Sequence, residues 1–172
     1  VNLRFYVRRK SADGWRRGVV FIRELVPRWA IAYVARTLYG EAYKALPMKH
    51  SIETNDDHTQ VEYAWQQRGR WQSIQLTTMG SPQEVENNSP EEFITEHYWG
   101  YARQRDGGTI EYQVEHPKWR VWRARAAVFD GDVENLYGSS FVDWLKQPPA
   151  SAFLAEGSDV TVFKGKPLSD FH

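Results

Sequence analysis

Apolar and polar positions alternate along most of this chain with a period of two, the spacing that sends successive side chains to opposite faces of a strand. Residues 3–7 and 18–25 are strand-like runs that form a first pair. The polar turn Ala12-Asp13-Gly14 between them predicts a hairpin. Three more strands are predicted at residues 49–53, 59–67 and 71–79, with turns at Asn55-Asp56-Asp57 and Arg68-Gly69. Val61, Tyr63 and Trp65 alternate there with Glu62, Ala64 and Gln66. Residues 80–88 read as a polar loop. A second hairpin joins residues 99–105 to 109–115 across Asp106-Gly107-Gly108. Residues 119–129 place Trp122, Ala124, Ala126 and Val128 on one face and Arg123 and Arg125 on the other. Residues 152–163 read as a last strand or strand pair.

Two stretches change to a helical period. In residues 27–39, Ala30, Ile31, Val34 and Leu38 form one apolar stripe, Pro27 suits a first helical position, and Gly40 suits a stop. Ser89-Pro90-Glu91-Glu92 starts a second, short helix that ends near His97: Ser89 as cap, Pro90 first, Glu92 third as a capping box. Helical turns are predicted at 131–138 and 139–146, stopped by Pro148-Pro149. The pattern therefore predicts a mainly β chain with a few helices (α+β). It reads as one domain over residues 1–172, built of meanders and closed or partly closed into an antiparallel barrel. The strand pattern already runs from Val1, which is not Met, so the expectation is a chain cut inside a domain whose upstream strands are missing.

Composition narrows the function classes. The 172 residues carry 22 basic and 22 acidic side chains, so no global field favours nucleic acid or an anionic membrane. Aromatic residues make up 15 %, which supports β structure and gives a sheet many amphipathic positions. There is no cysteine, which removes disulfides, thiol catalysis and thiolate metal sites, and fits a cytoplasmic location. The histidines at 50, 58, 97, 116 and 172 have no paired ligand spacing, so no metal and no cofactor is expected. No membrane-length apolar run, signal peptide, phosphate loop or Gly-x-Ser-x-Gly elbow is present. The run WRVWRARA at 119–126 mixes bases and rings, yet its period of two reads as a strand with one solvated face.

The candidate chemistry is polar and scattered. Lys44 follows Tyr43 just past the first helix, where a reactive amine would be well held. His97 lies between Glu96 and Tyr98, so Glu96 and His97 form a candidate acid–base pair beside a polar cluster. Arg4 and Tyr6 share one face of the first strand and offer an anion-binding arginine beside an aromatic wall. Glu24 ends the second strand, either paired with a base inside a barrel or placed at its rim. Arg36 is a carboxylate holder or a salt bridge at a helix end.

The segment ARTLYGEAYK at 35–44 resembles the Gly-Arg-Glu-x-x-Gly-Phe-Pro-Lys-Lys signature of acetoacetate decarboxylase. NLRFYV at 2–7, GVVFIREL at 18–25, FITEHYWGY at 93–101 and EYQVEHPKW at 111–119 resemble the YqjF-like family of uncharacterised proteins, in the same superfamily. The resemblance implies a β-barrel enclosing a small-molecule cavity. In the decarboxylase the first lysine of the pair forms a Schiff base; here that position is Tyr43, and Lys44 takes the second. Alternation along a strand then sends Lys44 away from a cavity that Tyr43 enters. The expected function is binding of a small carboxylate or oxo acid without lysine catalysis, with Arg4, Tyr6, Glu24, Arg36, Tyr43 and Tyr98 lining the site. The alternatives are a decarboxylase or aldolase-like enzyme using Lys44 or His97 with Glu96, and a protein-interaction domain. The partners expected are a small molecule, and a second copy or upstream chain that completes the barrel.

Overall fold

Ala12 and Asp13 turn the first hairpin, and its strands run further than their apolar cores suggest, because the arginines on either side of the turn continue the pairing. The computed structural model describes residues 1–27, 43–104 and 106–168. Among these, the strands in chain order are β1 (Asn2–Ser11), β2 (Gly14–Val26), β3 (Tyr43–Ala45), β4 (Met48–Thr54), β5 (Thr59–Gln67) and β6 (Arg70–Gln83). They continue as β7 (Trp99–Arg103), β8 (Thr109–Glu115), β9 (Val121–Asp130), β10 (Phe153–Ala155), β11 (Thr161–Val162) and β12 (Lys166–Pro167). The helices are α1 (Pro90–Thr95), α2 (Val133–Tyr137) and α3 (Val142–Leu145). The helix predicted at 27–39, with its stop at Gly40, lies outside the described residues.

The chain divides into two compact units. The first draws on residues 1–45, 93–118 and 158–172. Its sheet has the order β1-β2-β7-β8-β11, with β3 also on β2 and β12 also on β8. β2 is antiparallel to β1 and parallel to both β3 and β7. Leu3 pairs with Arg23 but Arg4 with Phe21, so Ile22 is the extra residue of a bulge. Val19, Leu25, Tyr101, Ala102 and Tyr112 are buried. Gly18 is required by close approach: a Cβ there would stand 2.6 Å from the Tyr101 ring and 2.7 Å from the Trp99 carbonyl oxygen.

The second unit comprises residues 46–92 and 119–157, with an antiparallel sheet of order β10-β9-β6-β5-β4. Its core is Trp65, Val61, Ala64, Val121 and, from α2, Val133 and Leu136. The buried Gln72 side-chain oxygen accepts from the Trp65 indole at 3.3 Å and from the Asp132 amide at 2.7 Å, which ties β6 to the α2 cap. Arg68 and Gly69 both have positive φ, as a tight hairpin turn demands. Neither sheet closes into a barrel among the described residues.

Three details depart from the sequence pattern. The expected loop at 80–88 starts late, because β6 continues to Gln83. The predicted 152–163 strand resolves into β10 on β9 and β11 on β8, which belong to different units. In β9, Thr77 pairs with Ala126 but Thr78 with Ala124, so Arg125 bulges and the alternation changes phase. Phe129 rather than Val128 then turns inward, 6.2 Å from the Trp65 ring, while Val128 is exposed.

Candidate functional site

The β1–β2 register sets Arg8 opposite Arg17 and Arg9 opposite Arg16. Like charges facing each other across a strand pair are destabilising unless an anion joins them. Successive residues point to opposite faces, so one arginine pair occupies each face of the hairpin. On one face the anion is Glu111 of β8. Arg16 donates to its carboxylate at 2.5 Å and Arg9 lies 3.4 Å away. Tyr101 of β7 donates to the same group at 2.9 Å, and Arg16 stacks over the Trp99 ring at 4.0 Å. The Glu111 side chain is only 10 % exposed. Burial, followed by this bond to Glu111, pushes the Tyr101 phenol well above its ordinary value.

On the other face Arg8 and Arg17 line a pocket of about 230 Å³, together with Tyr6, Val7, Gly18, Phe93 and His97. Phe93 and His97 arrive from α1 and its exit. Ser89 caps that helix by accepting from the Glu92 amide at 3.1 Å. Glu92 reaches back to the Asn88 amide at 2.7 Å, one residue before the position a capping box would use. The Tyr6 ring lies 5.0 Å from Phe93 and 5.4 Å from His97, and the Arg17 guanidinium sits 5.2 Å over Phe93. Arg4 donates to the Tyr6 hydroxyl at 3.1 Å. Burial chiefly, then the charge of Arg4 and lesser effects of His116 and Arg17, lower His97 to about 4, against a smaller raising effect of the Ile94 carbonyl. The ring is therefore neutral at pH 7, and its buried Nδ1 has no hydrogen-bond partner among the described residues. Rings form the wall, and two arginines line it with them.

A family model described as an uncharacterized conserved protein matches residues 1–159. The chain belongs to the DUF2071 family. No curated protein and no solved structure matches it. The resemblance to an uncharacterised family is thus borne out over most of the chain.

The structure of this DUF2071 chain brings together only some of the residues singled out from sequence. Tyr6 and His97 line the pocket, and Arg4 does not line it but reaches the Tyr6 hydroxyl. Tyr98 turns elsewhere: its hydroxyl donates to Glu96 and its ring lies 5.2 Å from His116. Burial and the Glu96 bond push the Tyr98 phenol up to about 12. Glu96 is therefore engaged with Tyr98 rather than with His97. Tyr43 stands in register with Glu24, and Lys44 with the buried Leu25, so Tyr43 and Lys44 take opposite faces of β3. None of Glu24, Tyr43 and Lys44 lines the pocket. Arg36 lies outside the described residues. In the 119–126 run, Arg120 pairs with Glu156 at 2.5 Å and Arg123 lies 3.7 Å from Glu86. Among the described residues no group of His, Asp or Glu is placed to hold a metal ion. No helix there is long and apolar enough to cross a membrane.

Arg8, Arg17 and Phe93 were not singled out. A signal for the arginines is present: Arg8 and Arg17, like Arg9 and Arg16, lie equally far from the midpoint of Ala12-Asp13, so a two-residue turn there opposes them. The predicted strands end at 7 and resume at 18, so the apolar pattern places both arginine pairs between them. Phe93 carries no such signal, because only the packing of α1 brings it to Tyr6.

Proposed function

We propose that this chain binds a small carboxylate, oxo acids included, in the pocket walled by Tyr6, Phe93 and His97, without Schiff-base chemistry. The observation that carries the reading is the pair of opposed arginines on each face of the β1–β2 hairpin. On the Glu111 face, two opposed arginines hold a carboxylate within the protein itself. The Arg8–Arg17 pair faces across the same hairpin and borders a pocket, so two guanidiniums stand where a ligand's carboxylate would be attracted. The depressed His97 fits the same picture, since Arg4, His116 and Arg17 all act on it as positive charges. Lysine catalysis has no such support, because Lys44 shares its register with Leu25 and not with the pocket wall. The wider kinship with acetoacetate decarboxylase, and the closed barrel it implies, rests on the ARTLYGEAYK resemblance, and carboxylate binding does not depend on it.

The test is thermal unfolding of the chain in low-salt buffer with acetate, pyruvate or acetoacetate, against chloride at equal ionic strength. Stabilisation by the carboxylates that Arg17→Gln abolishes is the expected result. Equal effects of chloride and carboxylate would sink the reading. Borohydride added with pyruvate should leave Lys44 unmodified; a trapped adduct there would replace binding with catalysis.

A further inference from the structure

Resting on that reading, we propose that the pocket selects carboxylates with a planar apolar body, aromatic monocarboxylates first, with the carboxylate toward Arg8 and Arg17 and the ring against Phe93. Phe93 is 47 % exposed although it borders a pocket. The Tyr6 ring and the Arg17 guanidinium both pack near it, at 5.0 and 5.2 Å from its centroid. An occupant that covers it removes apolar surface from water, which a bare carboxylate of acetate size does not do. The Tyr6 ring joins Phe93 and His97 into one wall, with centroids 5.0 Å from Phe93 and 5.4 Å from His97. Such a wall favours a flat partner in offset or edge contact. His97 adds to it as an uncharged ring, since burial, and after it the charge of Arg4, keeps it from protonating near pH 7.

Size points the same way. A pocket of about 230 Å³ has room for roughly eight waters at about 30 Å³ each, so an occupant of about eight to ten non-hydrogen atoms fills it. Benzoate has that size, whereas acetate leaves most of the space to water. Charge complementarity sets the orientation. The guanidinium of Arg17 lies over Phe93, so a carboxylate that reaches it brings any attached ring onto the aromatic wall.

The experiment compares acetate, benzoate and benzyl alcohol by calorimetry on the whole chain, with backbone amide shifts mapped on the wild type. Benzoate is expected to bind at least about tenfold tighter than either of the other two. Its shifts should centre on Tyr6, Arg17, Phe93 and His97. Phe93→Ala should bring benzoate down to the acetate affinity and leave acetate unchanged, with Phe93→Leu intermediate. Equal binding of acetate and benzoate overturns the selectivity and leaves carboxylate binding intact. Equal binding of benzyl alcohol and benzoate overturns the role of the arginines. Benzoate shifts centred elsewhere overturn the site, and silence of both acids overturns this proposal together with the reading it rests on.

Discussion

His97 is the residue at which geometry makes the clearest pH prediction. Its value in the folded chain, about 4, lies below the ordinary 6.5, so between those two values the unfolded chain binds the extra proton. The stability held by the neutral ring is complete above pH 6.5 and is lost as pH falls towards 4. Partial exposure reduces the effect to about 1–2 kcal/mol. Urea unfolding at pH 7.5 and 4.5 should show that much less loss in His97→Gln than in wild type; an equal loss in both would remove His97 as its source. Gly18 makes a steric prediction. Its missing Cβ space is taken by the Trp99 carbonyl, which belongs to backbone and cannot rotate away. Gly18→Ala should therefore cost about 2 kcal/mol or more in denaturant unfolding, whereas a substitution on an open strand costs a few tenths.

At the scale of the element, a bulge decides what the sequence pattern can say about β9. The alternation puts Val128 with Trp122 and Ala124, and pairing beyond Arg125 puts Phe129 inside instead. Phe129→Ala should cost about 2–3 kcal/mol, and Val128→Thr should stay within about 0.5 kcal/mol. The reverse order in chemical denaturation would restore the unbroken alternation. The strands and turns were legible for a local reason: period, turn residues and caps all lie within a few positions of one another. The β5 boundaries at Thr59 and Gln67, the Arg68-Gly69 turn and the Ser89 cap were readable in this way. Ser89→Ala should accordingly cost about 1 kcal/mol. What depends on a distant partner was not legible. The phase of β9 is set by a register with β6, the short β12 exists only through its pairing with β8, and Phe93 meets Tyr6 from about half the chain's length away. The candidate site suffered most, because two of its arginines sat in what the pattern read as a turn.

At the scale of the whole molecule, neither unit is a continuous piece of chain. The first is assembled from three separated stretches and the second from two. Within the first, Glu111 of β8 gathers Arg9 of β1, Arg16 of β2 and Tyr101 of β7, so one carboxylate joins four strands. Glu111→Ala leaves two opposed arginines without it and should cost about 3 kcal/mol, measured by denaturant unfolding. Glu111→Gln, which keeps an acceptor for Tyr101 without the charge, separates the hydrogen bond from the ion pair. Residues 46–92 alone should show no cooperative unfolding by circular dichroism, because their β6 lacks its β9 neighbour. The parallel pairing of Gly18 with Trp99 has a consequence in time. The β1–β2 hairpin closes over a short loop, whereas β2 must wait for a strand most of half the chain away. Contacts of that range slow folding, so refolding should show an early hairpin phase followed by a millisecond-to-second docking of β7 onto β2. Stopped-flow refolding of Gly18→Ala should lengthen the second phase and leave the first unchanged.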